Sequence, residues 1–86
     1  GVILVVGMRL GCINHALLTA EAIRRDGLQL TGWVANQPGP RMARHEENLE
    51  TLRQMLPAPL LGDVPFLQHW DATEAAKHVN LQSLIE

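Results

Sequence analysis

Three places in this 86-residue chain gather residues whose types and spacing suit chemistry. The first is Gly7-Met8-Arg9-Leu10-Gly11-Cys12-Ile13-Asn14, a glycine-bounded loop that opens a segment with helical spacing. A helix starting directly after a strand presents unpaired backbone N–H groups and the positive end of its dipole, which suits a carboxylate or phosphate. The loop is not a P-loop, because no Lys-Ser/Thr pair follows its second glycine. Its plainer reading is a strand-to-helix turn in which the glycines permit tight geometry and Asn14 caps the helix. The second place is Val34-Ala35-Asn36-Gln37, where an apolar strand ends on amide side chains. An amide donates and accepts at once, as the edge of a purine requires. The third is Asp63-Val64-Pro65-Phe66-Leu67, whose proline and phenylalanine could cover the faces of a base. For these two, a turn asparagine and a turn proline are the structural alternative.

Other reactive side chains read as structure. Cys12 sits beside a helix start, but with no second cysteine to resolve it the residue reads as a small buried apolar group. His15, His45, His69 and His78 lack the spacing of metal ligands and read as surface or half-buried residues. Glu46, Glu47 and Glu50 form a solvated helix face, and Trp33 falls in a core strand.

These places are positioned by an alternation of elements. Val2-Ile3-Leu4-Val5-Val6 is wholly apolar, as a strand buried in a parallel sheet must be. Ile13, Ala16, Leu17, Ala20 and Ile23 then recur at helical spacing over 12–25, with Arg24 and Arg25 at the negative end of the dipole and Gly27 placed for a left-handed cap. Leu28 to Asn36 holds a second strand, near 30–35, which Gln37-Pro38-Gly39-Pro40 ends. A second helix is expected from about Met42 to Leu56, with Met42, His45, Leu49, Leu52 and Leu56 inward. Leu60-Leu61-Gly62-Asp63-Val64 is a short third strand near 59–62 that stops at Pro65, and Asp71 to Lys77 and Asn80 to Ile85 read as short helices. The order β-α-β-α-β-α predicts a parallel sheet with right-handed crossovers. Two long helices cannot cover both faces of three strands, so further cover and further strands are expected upstream, and in isolation an apolar sheet face should lie open.

Composition bounds the function classes. Seven Lys and Arg against nine Asp and Glu give a net charge of −2, the basic residues are dispersed and tyrosine is absent, so nothing points to nucleic acid. One cysteine permits neither an internal disulfide nor a cysteine-based zinc site, which suits a reducing compartment. The opening apolar run is too short to span a membrane and lacks the charged leader of a signal peptide. A soluble cytoplasmic protein is expected.

Taken in order, Val-Ile-Leu-Val-Val-Gly (2–7), Leu-Gly-Cys-Ile-Asn-His-Ala (10–16), Gly-Trp-Val-Ala-Asn (32–36) and Pro-Ala-Pro-Leu-Leu-Gly (57–62) resemble the C-terminal part of dethiobiotin synthetase. The resemblance covers essentially the whole chain and is specific in its combination of motifs. It implies a P-loop NTPase-like three-layer α/β fold with a parallel sheet, of which 1–86 would be a C-terminal portion without an internal boundary. It implies a homodimeric ligase of biotin biosynthesis that uses Mg2+, ATP and carbon dioxide to close the ureido ring of dethiobiotin on diaminopelargonic acid. The steps would be carbamate formation, transfer of the terminal phosphoryl group to the carbamate, and displacement of phosphate by the second amine.

Carried onto these residues, the resemblance assigns Gly11, Cys12, Ile13 and Asn14 to the carboxylate of the substrate, bound across the dimer interface. It assigns Asn36, Gln37, Pro65, Phe66 and Leu67 to the adenine side of the nucleotide, with a further acidic contact near Asp71. Position 37, often acidic in the family, is Gln37 here. The P-loop, the catalytic lysine and the magnesium ligands would lie upstream, so no catalytic or metal-binding residue is expected among these 86 and the chain alone should be inactive. The rival reading is a non-catalytic α/β module of related fold that binds a nucleotide or a partner at the same strand ends.

Overall fold

A computed structural model describes residues 1–85. Three strands, β1 (Val2–Gly7), β2 (Leu30–Asn36) and β3 (Leu60–Val64), form one parallel sheet in the order β1-β2-β3. Helix α1 (Cys12–Arg25) connects β1 to β2 and α2 (His45–Met55) connects β2 to β3, while the short helices α3 (Ala72–Ala76) and α4 (Gln82–Ile85) follow. This is the β-α-β-α-β-α order read from the sequence, in a P-loop NTPase-like α/β arrangement.

The core lies between the two long helices and one face of the sheet. Val6 from β1 and Trp33 and Ala35 from β2 meet Cys12 and Ala16 of α1, with Leu49 and Leu52 of α2 and Leu56 closing it. In a parallel sheet alternate residues share a face, and the pairings Leu4 with Trp33 and Val6 with Ala35 put these side chains on the helix side. On β1 the intervening residues Ile3 and Val5 are 44% and 62% exposed. The face of β1 away from the helices is therefore open at these two residues.

The C-terminal segment packs against β3. Asn80 donates from its backbone N–H to Leu61 O at 2.7 Å, and Gly62 forms an isolated antiparallel bridge with Val79. Gly62 is required there, since a Cβ at this position would lie 2.0 Å from His78 O.

Helix ends follow local chemistry. After α1, Gly27 adopts φ +78°, its N–H bonds to Arg24 O and that of Leu28 to Ile23 O, which is the paired bonding of a Schellman cap. The second helix differs from its expected start at Met42. Arg44 has φ +63°, outside the right-handed helical region, so regular α2 begins only at His45 and Met42 lies before the turn that leads into it. Glu46 pairs with Arg41 and Glu50 with Arg53, which relieves the like-charge spacing of that face. No helix among the described residues is long and apolar enough to cross a membrane.

Candidate functional site

All three strands run the same way, so Gly7, Asn36 and Val64 end together at the carboxyl edge of the sheet, where open α/β sheets bind ligands. Backbone bonds tie the edge together: Met8 N–H to Asn36 O at 2.7 Å, and Gln37 N–H to Val64 O at 2.9 Å. Among the clefts at this edge, two hold the residues singled out in the sequence.

The first, of about 560 Å³, is lined by Gly11, Cys12, Ile13 and Asn14 together with Arg9, Arg44, Met42 and Asn48. Gly11 is the N-cap of α1 with φ +88°, and no side chain caps this helix. Asn14 is exposed and makes no capping bond, so the capping role suggested for it is corrected: glycine in the left-handed conformation starts the helix instead. The Cys12 N–H donates to Arg9 O at 3.0 Å. Helix geometry leaves the N–H groups of Ile13 and Asn14 without intrahelical acceptors. With no acidic residue in the first turn and two arginines on the rim, the cleft favours an anion. Cys12 itself is buried, as a small apolar residue would be.

The second cleft, of about 200 Å³, is lined by Asn36, Gln37, Pro65, Phe66 and Leu67 with Pro38 and Trp70. Two separate strand ends thus converge on one concavity. Asn36 is half-buried, and the rings of Phe66 and Trp70 are exposed at the cleft. Asp71 does not line it: its carboxylate accepts from the Thr73 N–H at 2.9 Å and caps α3.

Sequence reasoning missed Trp70, which sits in a segment without periodicity, and it missed a buried polar network. Gln37 is buried, and its Nε2 donates to Asp63 Oδ1 at 3.2 Å. Asp63 Oδ2 lies 2.9 Å from Nε2 of His45, whose side chain is fully buried. The expectation that His45 is a surface or half-buried histidine is therefore corrected. The signal was its place on the inward stripe of α2, where a polar ring requires a partner. His15, His69 and His78 are exposed.

His45, Glu46 and Asp63 bring three ligand atoms within 4.8 Å of one another. They do not fit magnesium, which prefers six oxygens and retains waters. One donor is an imidazole nitrogen already bonded to the carboxylate, and Glu46 is paired with Arg41.

Comparison with known proteins gives the frame a family. The model of a family described as an AAA domain matches residues 1–74. An ATP-dependent dethiobiotin synthetase from Pseudomonas aeruginosa is 59% identical over 83 residues, covering 96% of this chain and 36% of the relative. Proteins of the same name from Cellvibrio japonicus and Alteromonas mediterranea are 58% identical over 85 residues and 66% identical over 65, covering 99% and 76% of this chain and 37% and 28% of the relatives. The chain thus spans about a third of the length of the curated relatives it matches. With its parallel strands, crossover helices and family match, the chain belongs to the AAA domain family, and it is a relative there of the ATP-dependent dethiobiotin synthetases.

Proposed function

We propose that the chain is the C-terminal portion of a dethiobiotin synthetase-like domain, and that it contributes the adenine-binding wall and a substrate-carboxylate loop to an ATP-dependent ring closure. The whole protein would be a cytoplasmic homodimer acting on diaminopelargonic acid, carbon dioxide and ATP. The observation that carries the reading is that the two residue groups assigned by family resemblance each line one cleft, at the strand edge where the fold favours ligands.

In the second cleft, Asn36 reads the base edge with its amide, which donates and accepts, while Pro65 and Phe66 cover the ring faces. Gln37 contributes its place in the wall, its side-chain N–H being held by Asp63. In the first cleft, the N–H groups of Ile13 and Asn14 bind the carboxylate of the diamine, and Gly11 allows it to approach the backbone. Charge-assisted bonds of this kind are roughly twice as strong as neutral ones. Magnesium would be held by residues outside this chain, where it would offset negative charge on the nucleotide phosphates. The chain's own part is to bind and orient.

The test uses the full-length protein that contains this chain, supplied with ATP, Mg2+, carbon dioxide and diaminopelargonic acid. Formation of dethiobiotin with stoichiometric phosphate release supports the reading. Nucleotide binding without turnover would favour a non-catalytic binding module.

A further inference from the structure

Asp63 lines neither cleft, yet it is bonded to the framework of both. Its Oδ1 accepts from Nε2 of Gln37 at 3.2 Å, beside Asn36 in the wall of the second cleft. Its Oδ2 faces Nε2 of His45 at 2.9 Å. His45 is the first residue of α2 and follows Met42, Ala43 and Arg44, all of which line the first cleft. The ring is fully buried and, among the described residues, its Nδ1 has no hydrogen-bond partner and Asp63 is its single polar anchor. Without that carboxylate both ring nitrogens would be buried and unpaired, and the first turn of α2 would have to shift to bring one to water. Arg44, directly before it, already holds an uncommon left-handed backbone.

We propose that Asp63 is a positioning residue that braces the two clefts to the third strand, through Gln37 to the nucleotide wall and through His45 to the rim of the carboxylate cleft. A carboxylate suits the role because each of its oxygens accepts from a different partner. An asparagine offers only one acceptor oxygen and, with Gln37 still donating, keeps both partners only by moving the His45 ring proton onto the buried, unpartnered Nδ1. The inference rests on the proposed reading for the identity of the two ligands, and on the described bonds for the brace itself.

The test compares Asp63→Ala, Asp63→Asn and Gln37→Met with the wild type in the full-length protein, first by backbone amide hydrogen exchange without ligands. In Asp63→Ala, exchange in 36–38 and in 42–45 is expected to rise about tenfold or more while the control stretch 16–24 of α1 stays unchanged. Gln37→Met, which removes one arm, should loosen 36–38 alone. Should Asp63→Ala fail to fold, Asp63→Asn decides, with faster exchange expected in at least one of the two stretches. Unchanged exchange in both stretches, or equal acceleration in the control, would overturn the brace. Titrations then add the ligands: Kd for ATP and for diaminopelargonic acid should each rise about tenfold in Asp63→Ala, the scale of one lost buried hydrogen bond per cleft. Unchanged Kd values in a folded Asp63→Ala protein would also overturn it. A wild type that binds no ATP would sink the nucleotide reading alone, since the exchange pattern judges the brace independently.

Discussion

Replacing Gly11 separates what the loop does for the fold from what it does for a ligand. Gly11 has φ +88°, and nothing lies within 4 Å of where a Cβ would stand. A Cβ there stands in open space among the described residues, so the stability cost is set by the backbone conformation, about 1–2 kcal/mol for an ordinary L-residue. Asparagine tolerates the left-handed region and should cost less, while β-branched valine should be at the upper end. The same open space is the path by which a carboxylate would reach the N–H groups of Ile13 and Asn14. Valine fills it, and losing one charge-assisted hydrogen bond of about 1.5–3 kcal/mol would raise KM for diaminopelargonic acid roughly ten- to a hundredfold. The KM for ATP should be nearly unchanged, because the nucleotide cleft has no lining residue in common with this one. Denaturant titration of the full-length protein measures the first effect, and steady-state kinetics with each substrate varied in turn measures the second. Equal rises in both KM values, or a valine variant destabilised as expected but normal toward the diamine, would refute the carboxylate assignment.

Asn36→Ala should raise KM for ATP about tenfold and blunt discrimination against GTP, since a polar base edge left unpaired costs on the order of 1–3 kcal/mol; unchanged ATP and GTP kinetics would leave Asn36 a turn residue. On the proposed arrangement across a dimer, forced heterodimers of a Gly11→Val subunit with a P-loop-disabled subunit should recover one working site. Turnover no higher than in either mutant homodimer would exclude that arrangement. Gly62→Ala should destabilise by about 1–3 kcal/mol, because the new Cβ meets the backbone at His78 rather than a mobile side chain; a melting temperature equal to wild type would contradict the packing of the C-terminal segment on β3. Leu52→Ala, at the fully buried centre of the core, should cost about 2–5 kcal/mol by denaturant titration, and a loss below 1 kcal/mol would mean that α2 does not pack as described.

The sequence determined the elements of this protein through short-range physics. A short apolar run bounded by glycine suits a strand of a parallel sheet, although β1 lies at the sheet edge with Ile3 and Val5 exposed, and apolar residues at three- and four-residue spacing share one face on a helix. Gly27 marked the end of α1 because few other residues enter the left-handed region cheaply, and the observed Schellman bonds follow from it. That the strand ends would meet was legible for a related reason: a parallel order brings every strand's carboxyl end to one edge. What the sequence left open depended on partners distant along the chain. His45 stood on an apolar stripe, but only folding brings Asp63, 18 residues later, within hydrogen-bond reach and makes a buried imidazole tolerable. Gln37 offered its amide outward until the same carboxylate, 26 residues away, engaged it. Trp70 joined Asn36 and Phe66 because the chain beyond β3 turns back over the strand edge. Periodicity reports which face a side chain takes. Which group meets it there is settled by tertiary packing, where burial makes an unpaired polar atom costly enough to select its partner.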